Sequence, residues 1–165
     1  MLPSSGLRVT PYGLPVTMDR QERIDFILDH HDKPRHRGVL PSADAVYSGG
    51  NPGCGDVVTV YLSVDGPEQV TTLSFEGEGC TISQASASMV MEMMQGKSLH
   101  QIEDATSEPL LAKLGPDIAK ARERCATLAF NAVKSACLEY RRSELHLRAA
   151  DFSIDEAWRS NPAMD

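Results

Sequence analysis

The residues of this chain best suited to chemistry are cysteines and one aspartate set among glycines. Asn51-Pro52-Gly53-Cys54-Gly55-Asp56 carries a thiol with a carboxylate two residues on, and Gly77-Glu78-Gly79-Cys80-Thr81-Ile82-Ser83 carries a second thiol. In an extended segment residues i and i+2 point to the same side, so Cys54 and Asp56 can offer sulfur and oxygen to one acceptor. Cys80 stands just before a helix signal, because Thr81 to Gln84 fits a capping box with Thr81 as N-cap. The positive end of a helix dipole suits an anionic ligand. Cys125 joins from a later helix. Three thiolates and one carboxylate supply four donors, enough for tetrahedral zinc or a [2Fe–2S] unit. The expectation is that Cys54, Asp56, Cys80 and Cys125 form one metal or cluster site.

Competing roles bear on each of these groups. A free cysteine is often a small core residue. Glycine-rich loops are poor places to bury an inert thiol, which favours chemistry at Cys54 and Cys80, whereas Cys125 lies on an apolar helical stripe where packing competes evenly. Cys137 sits about 18 Å further along the same helix at 1.5 Å per residue, too far to share a metal with Cys125, and is expected to pack. The cysteine spacings match no short zinc-finger pattern of the CxxC kind. His30, His31, His36, His100 and His146 read more readily as solvated or helix-ending residues than as ligands. Met89 and Met93 share a stripe and read as gap-filling core residues.

Secondary structure must bring these groups together. Met1 to about Thr17 is rich in Pro, Gly and Ser and reads as a flexible arm over residues 1–18. Asp19 to His31 carries Ile24, Ile27 and Leu28 at helical spacing, and Pro34 stops that helix. Ala43 to Ser48 reads as a short strand. Val57–Val64 is β-branched and aromatic, Asp65-Gly66-Pro67-Glu68 is a turn, and Val70–Glu76 alternates as the antiparallel partner. Ile82, Ala85, Ser86, Met89, Val90 and Met93 make a helical stripe whose small residues permit close approach to the sheet, with Gly96 as its C-cap. Short helical pieces follow near Ser98–Asp104 and Glu108–Leu114. Gly115-Pro116-Asp117 is a start signal for a last long helix, with Leu128, Ala129, Ala132, Val133, Ala136 and Tyr140 along its apolar face. Residues 149–165 read as an acidic tail with one turn around Trp158. The class is α+β: a three-stranded antiparallel sheet covered by helices on one face.

Composition narrows the partners. The 165 residues suffice for one domain with a sizeable core, and 41% hydrophobic with 24% charged residues is ordinary for a globular chain. A net charge of −7 argues against nucleic acid and against an anionic membrane surface as main partners. No apolar run is long enough to span a bilayer. Met1-Leu2-Pro3-Ser4-Ser5-Gly6 lacks the basic patch and apolar core of a signal peptide. Four cysteines without such a signal suggest a reducing, cytoplasmic setting.

Three motifs in order resemble the U-type iron–sulfur cluster assembly family of IscU, SufU and N-terminal NifU. Ile27-Leu28-Asp29-His30-His31-Asp32-Lys33-Pro34-Arg35-His36-Arg37-Gly38 is similar to the family's first helix and the turn after it. Asn51–Asp56 resembles its first cysteine motif, Gly77–Ser88 its second, and Arg124-Cys125-Ala126-Thr127-Leu128-Ala129 its third. The likeness runs from about Arg20 to Arg142, within an assembly domain taken as 19–148. It implies the α+β fold above. It also implies that Cys54, Cys80 and Cys125 are the family's three cysteines and Asp56 its ligand-site aspartate, holding Zn2+ or a [2Fe–2S] cluster at the same site. It implies a cysteine desulfurase as sulfur donor and apo iron–sulfur proteins as acceptors, and a scaffold or sulfur acceptor rather than an enzyme in its own right. The residue before the third cysteine is Arg124, as in the SufU-like branch, where the IscU branch has histidine. The Leu-Pro-Pro-Val-Lys motif of the IscU branch is absent, and so is the insertion typical of SufU between the second and third cysteines. The family places its third cysteine near the start of the last helix, which would make Pro116 to Lys120 a separate turn.

Two mechanisms follow. In one, the site assembles a cluster and Asp56, the harder and weaker donor, keeps it labile. In the other, a zinc-dependent sulfurtransferase, one thiol takes sulfur from the desulfurase persulfide; Cys125 is the expected acceptor, with Arg124 stabilising charge. The rivals from other classes are an enzyme with Cys54 as nucleophile, for which no histidine lies near in sequence, and an inert structural zinc module.

Overall fold

A computed structural model describes residues 18–159, with side chains through residue 150. The arm expected over residues 1–18 therefore lies almost wholly outside the described residues. The elements are α1 (Arg20–Asp32), β1 (Ala45–Asn51), β2 (Asp56–Asp65), β3 (Gln69–Glu78), α2 (Thr81–Met94), α3 (Leu99–Asp104), α4 (Glu108–Leu114), α5 (Pro116–Ala121) and α6 (Glu123–Arg159). The α+β class and the three-stranded antiparallel sheet are as expected, in the order β1-β2-β3.

The sheet has one buried face. Val58, Val60 and Leu62 of β2 point inward, while Val57, Thr59 and Tyr61 face out, as the two-residue period requires. On β3 the inward residues Val70, Leu73 and Phe75 do not keep strict alternation. The register explains this: Ser63 pairs with Thr72 but Val64 pairs with Val70, so Thr71 is an extra residue that re-phases the strand. The free edge of β3 is partly covered, since Gly38 N–H donates to Phe75 O at 2.8 Å and Phe75 N–H to His36 O at 3.0 Å.

Helix α2 lies inside the fold, against α1, α6 and β3. The expected stripe is present, but Ala87, Ser88, Met91 and Met94 on its other side are buried as well. Small side chains are what let a helix pack on several sides at short range. Gly96 follows the helix with φ of +79°, the left-handed conformation that glycine supplies past a helix end.

Helix α1 departs from its expected face. It has a capping box between Asp19 and Glu22, and its C-cap is Lys33, the residue before Pro34. Ile24 and Leu28 are exposed, however, and the buried positions are Ile27 and His30. His30, expected to be solvated, is 1% exposed. Its Nδ1 is 2.8 Å from Ser88 Oγ on α2, and its ring meets Phe26 edge-on at 4.7 Å. A polar contact in the helix interface thus takes the seat that an apolar stripe would have filled.

The last third corrects another expectation. The helix begun at Pro116 ends at Ala121, and α6 begins anew at Glu123. Cys125 therefore lies in the first turn of α6, as the family resemblance implied, and not more than two turns into a helix from Pro116. Helix α6 then runs for 37 residues, about 55 Å. It carries the backbone of the expected tail onward through Arg159 in place of a separate turn.

Candidate metal centre

The β1–β2 connection builds the first part of the site. Asn51 ends β1 opposite Asp56, which begins β2. The four residues between them, Pro52 to Gly55, form a tight turn in which Gly55 has φ of +68°. Asn51 shapes this turn: its Oδ1 accepts from Gly53 N–H at 3.2 Å and its backbone oxygen from Cys54 N–H at 3.1 Å. Cys54 is exposed on the turn and Asp56 is 1% exposed. The pair converges through a hairpin turn, not through the extended i, i+2 geometry the sequence suggested.

The β3–α2 junction supplies the second part. Cys80 itself is the N-cap of α2, one residue ahead of the expected Thr81, and its Sγ accepts from Ser83 N–H at 3.5 Å. Its own N–H donates to Asp56 Oδ1 at 2.8 Å. Gly79 makes this approach possible, because a Cβ there would collide with Asp56 Oδ1 and Ser83 Oγ, and its φ of +157° disfavours any other residue. Arg37 pins the same junction, donating to Gln84 Oε1 at 3.0 Å and to Gly77 O at 2.9 Å.

Helix α6 supplies the third. Cys125 Sγ lies 3.4 Å from Cys54 Sγ, and the thiol is 2% exposed. Burial, then the adjacent Asp56 carboxylate and Cys54 thiol, push its pKa up to about 12. A cleft of about 400 Å³ opens beside the pair, lined by Asn51, Cys54, Lys120, Arg122, Arg124 and Cys125 among others.

One ligand atom each from Cys54, Asp56 and Cys125 lies within 4.8 Å of the other two. Cys80 is not in that group; it is tied to the group through its backbone bond to Asp56. The donors fit a soft divalent metal or an iron–sulfur core. A second observation supports the fit: Asp56 Oδ2 is buried and no N–H or O–H bonds it. Such an atom costs about 1–3 kcal/mol unless something satisfies it. Cys54, Asp56 and Cys125 would hold the ion, which supplies the positive charge that deprotonates thiols and makes them ligands.

The sequence expectations fare unevenly at the other sulfurs and polar groups. Cys137 is fully buried in the core, as expected of a packing residue. The sequence motifs that contain Asn51 and Arg37 assign neither residue a role. For Asn51 the signal available was an Asn-Pro-Gly turn ahead of a candidate ligand.

Comparison with known proteins is consistent with this arrangement. The family model described as the NifU-like N terminal domain matches residues 22–146. The iron–sulfur cluster assembly scaffold protein IscU 1 of Archaeoglobus fulgidus is 33% identical over 116 residues, 70% of this chain and 74% of that one. The zinc-dependent sulfurtransferase SufU of Bacillus subtilis is 40% identical over 97 residues, 59% of this chain and 60% of that one. The crystal structure of a NifU-like protein (N-terminal) from Brucella abortus superposes with a TM-score of 0.59 at 25% identity, covering 73% of this chain and 98% of that one. The chain belongs to the family of NifU-like N-terminal domains, the U-type iron–sulfur cluster assembly proteins.

Proposed function

We propose that this chain is an iron–sulfur cluster assembly protein that accepts sulfur from a cysteine desulfurase, builds a labile [2Fe–2S] cluster and passes it to apo-proteins. The observation that carries the reading is the convergence of Cys54, Asp56 and Cys125 with one buried carboxylate oxygen that no N–H or O–H of the described residues bonds. Cys80, held one backbone bond away, completes the four donors. The functional unit is residues 19–148, in keeping with the family match over 22–146. No described helix is long and apolar enough to cross a membrane, and a reducing, cytoplasmic setting keeps the thiols available. Cys125, the sulfur acceptor expected from the sequence, is buried and Cys54 is exposed, so a protein donor meets Cys54 first. The thiolate attacks the outer sulfur of the donor persulfide, that S–S bond breaks, and the donor cysteine leaves as thiolate. The accepting residue ends as the persulfide, and Cys125 at 3.4 Å stands next in line to receive the sulfur.

A second reading has its own support. Arg124 directly precedes Cys125 and lines the cleft, and the zinc-dependent SufU of Bacillus subtilis is among the relatives. In that version resident zinc is held by the same four residues and the protein relays persulfide sulfur without storing a cluster. Anaerobic reconstitution with a desulfurase, cysteine and ferrous iron separates the two. Transient visible absorption followed by transfer to an apo-ferredoxin supports the scaffold. Desulfurase stimulation without colour supports the shuttle, and neither signal defeats both.

A further inference from the structure

The sulfur of Cys125 faces three groups from the β1–β2 region: Cys54 Sγ at 3.4 Å, the Asp56 carboxylate, and Asn51 Nδ2 at 3.8 Å. The first two are electron-rich. Of these three groups, Asn51 alone turns the positive end of a dipole toward the sulfur. The orientation of its amide is set independently, because Oδ1 accepts from Gly53 N–H, which an amide nitrogen cannot do. The flip that satisfies Gly53 therefore aims Nδ2 at Cys125. Asn51 is 9% exposed, so water competes weakly for that N–H.

We infer that Asn51 is a positioning residue of the metal centre: its amide N–H holds and polarises the Cys125 sulfur while its oxygen fixes the turn carrying Cys54. The inference rests on the reading of Cys54, Asp56 and Cys125 as metal ligands. Hydrogen bonds to ligating sulfurs draw charge off them and tune the bound metal, including the reduction potential of a cluster. One side chain thus couples the placement of two ligands that lie far apart in sequence.

Two substitutions separate this role from simple turn-making. Asn51→Ser keeps a hydroxyl acceptor for Gly53 N–H but is too short to reach the sulfur. Asn51→Asp keeps the acceptor, removes the N–H and adds negative charge. Full-length protein is titrated anaerobically with cobalt(II), and the thiolate-to-cobalt charge-transfer band is recorded, with far-UV circular dichroism as a check on folding. A sulfur that loses its N–H donor is easier to oxidise, so the band should move to longer wavelength in Asn51→Ser and further in Asn51→Asp. A band in Asn51→Ser that coincides with the parent's reduces Asn51 to a turn residue and overturns the inference while leaving the metal site intact. Absence of any charge-transfer band in the parent protein removes the metal reading itself, and the inference with it.

Discussion

Asp56 Oδ1 and the backbone N–H of Cys80 are 2.8 Å apart, and this bond joins the start of β2 to the residue that caps α2. It divides the carboxylate into two unlike oxygens. Oδ1 is committed to the β3–α2 junction, and Oδ2 is buried with no N–H or O–H partner. Asp56 can therefore bind an ion through one oxygen without giving up its anchor, and the same anchor ties the backbone of Cys80 to the group of Cys54, Asp56 and Cys125.

The anchor depends on Gly79. Gly79→Ala forces a Cβ into Asp56 Oδ1 and Ser83 Oγ at a backbone angle that favours glycine. A strained backbone residue costs about 1–3 kcal/mol, and disturbing a residue that supports a ligand costs about 10–100-fold in metal affinity. Zinc competition titration together with urea unfolding should show both losses. Unchanged zinc affinity in a destabilised variant would mean that the Asp56 anchor does not serve the metal.

In the proposed ligand set Asp56 would be the oxygen donor among the sulfurs, and its weaker hold on a soft metal would keep a cluster transferable. Asp56→Ala should slow release to an apo-acceptor, about tenfold if retention tightens by ~1.4 kcal/mol. Stopped-flow transfer kinetics measure this directly, and an unchanged or faster rate would remove Asp56 from the release step.

His30 carries a pH dependence of stability. Burial, with Arg35 adding to it against the pull of Glu92 and Asp29, depresses its pKa from the ordinary 6.5, and Lys113 acts in the same sense as Arg35. A folded-state pKa below the unfolded value means that the unfolded chain binds the proton first. The stability this neutral histidine contributes is present above pH 6.5 and is lost as pH falls from there through the folded-state value. Urea midpoints measured across that range should fall on the acid side, and His30→Gln should flatten the slope. An identical slope in the variant would assign the dependence to other groups.

Much of the fold was legible from the sequence because its signals are local. The hairpin turn at Asp65–Glu68, the small-residue helix after Cys80 and the short helices before Gly115 follow from residue type and period. The misreadings came from contacts between distant segments. The face of α1 could not be read because Ser88, far along the chain, gives His30 a buried partner. The extra residue at Thr71 leaves no mark beyond an interrupted alternation. No proline or glycine marks the break at Arg122 that puts Cys125 in the first turn of α6. The motifs single out Cys54, Asp56, Cys80 and Cys125, but that Cys54, Asp56 and Cys125 converge, and that Cys80 caps a helix, is a property of packing.

Cys137 provides a control. It is fully buried, and burial, with Glu103 next in effect, pushes its thiol up to about 12. Alkylation of the folded, metal-free protein mapped by mass spectrometry should label Cys54 and spare Cys137. Cys137→Ala should cost about 1 kcal/mol in stability and leave zinc stoichiometry unchanged. Loss of zinc binding in that variant would mean that the fourth cysteine has been misassigned.

Zinc X-ray absorption on the full chain loaded with one equivalent reads the ligand shell of the proposed centre itself. The expected shell is three sulfurs at about 2.3 Å and one oxygen at about 2.0 Å, with one sulfur lost in each of Cys54→Ser, Cys80→Ser and Cys125→Ser. A shell of nitrogen and oxygen alone, or a sulfur count that survives all three substitutions, would contradict it.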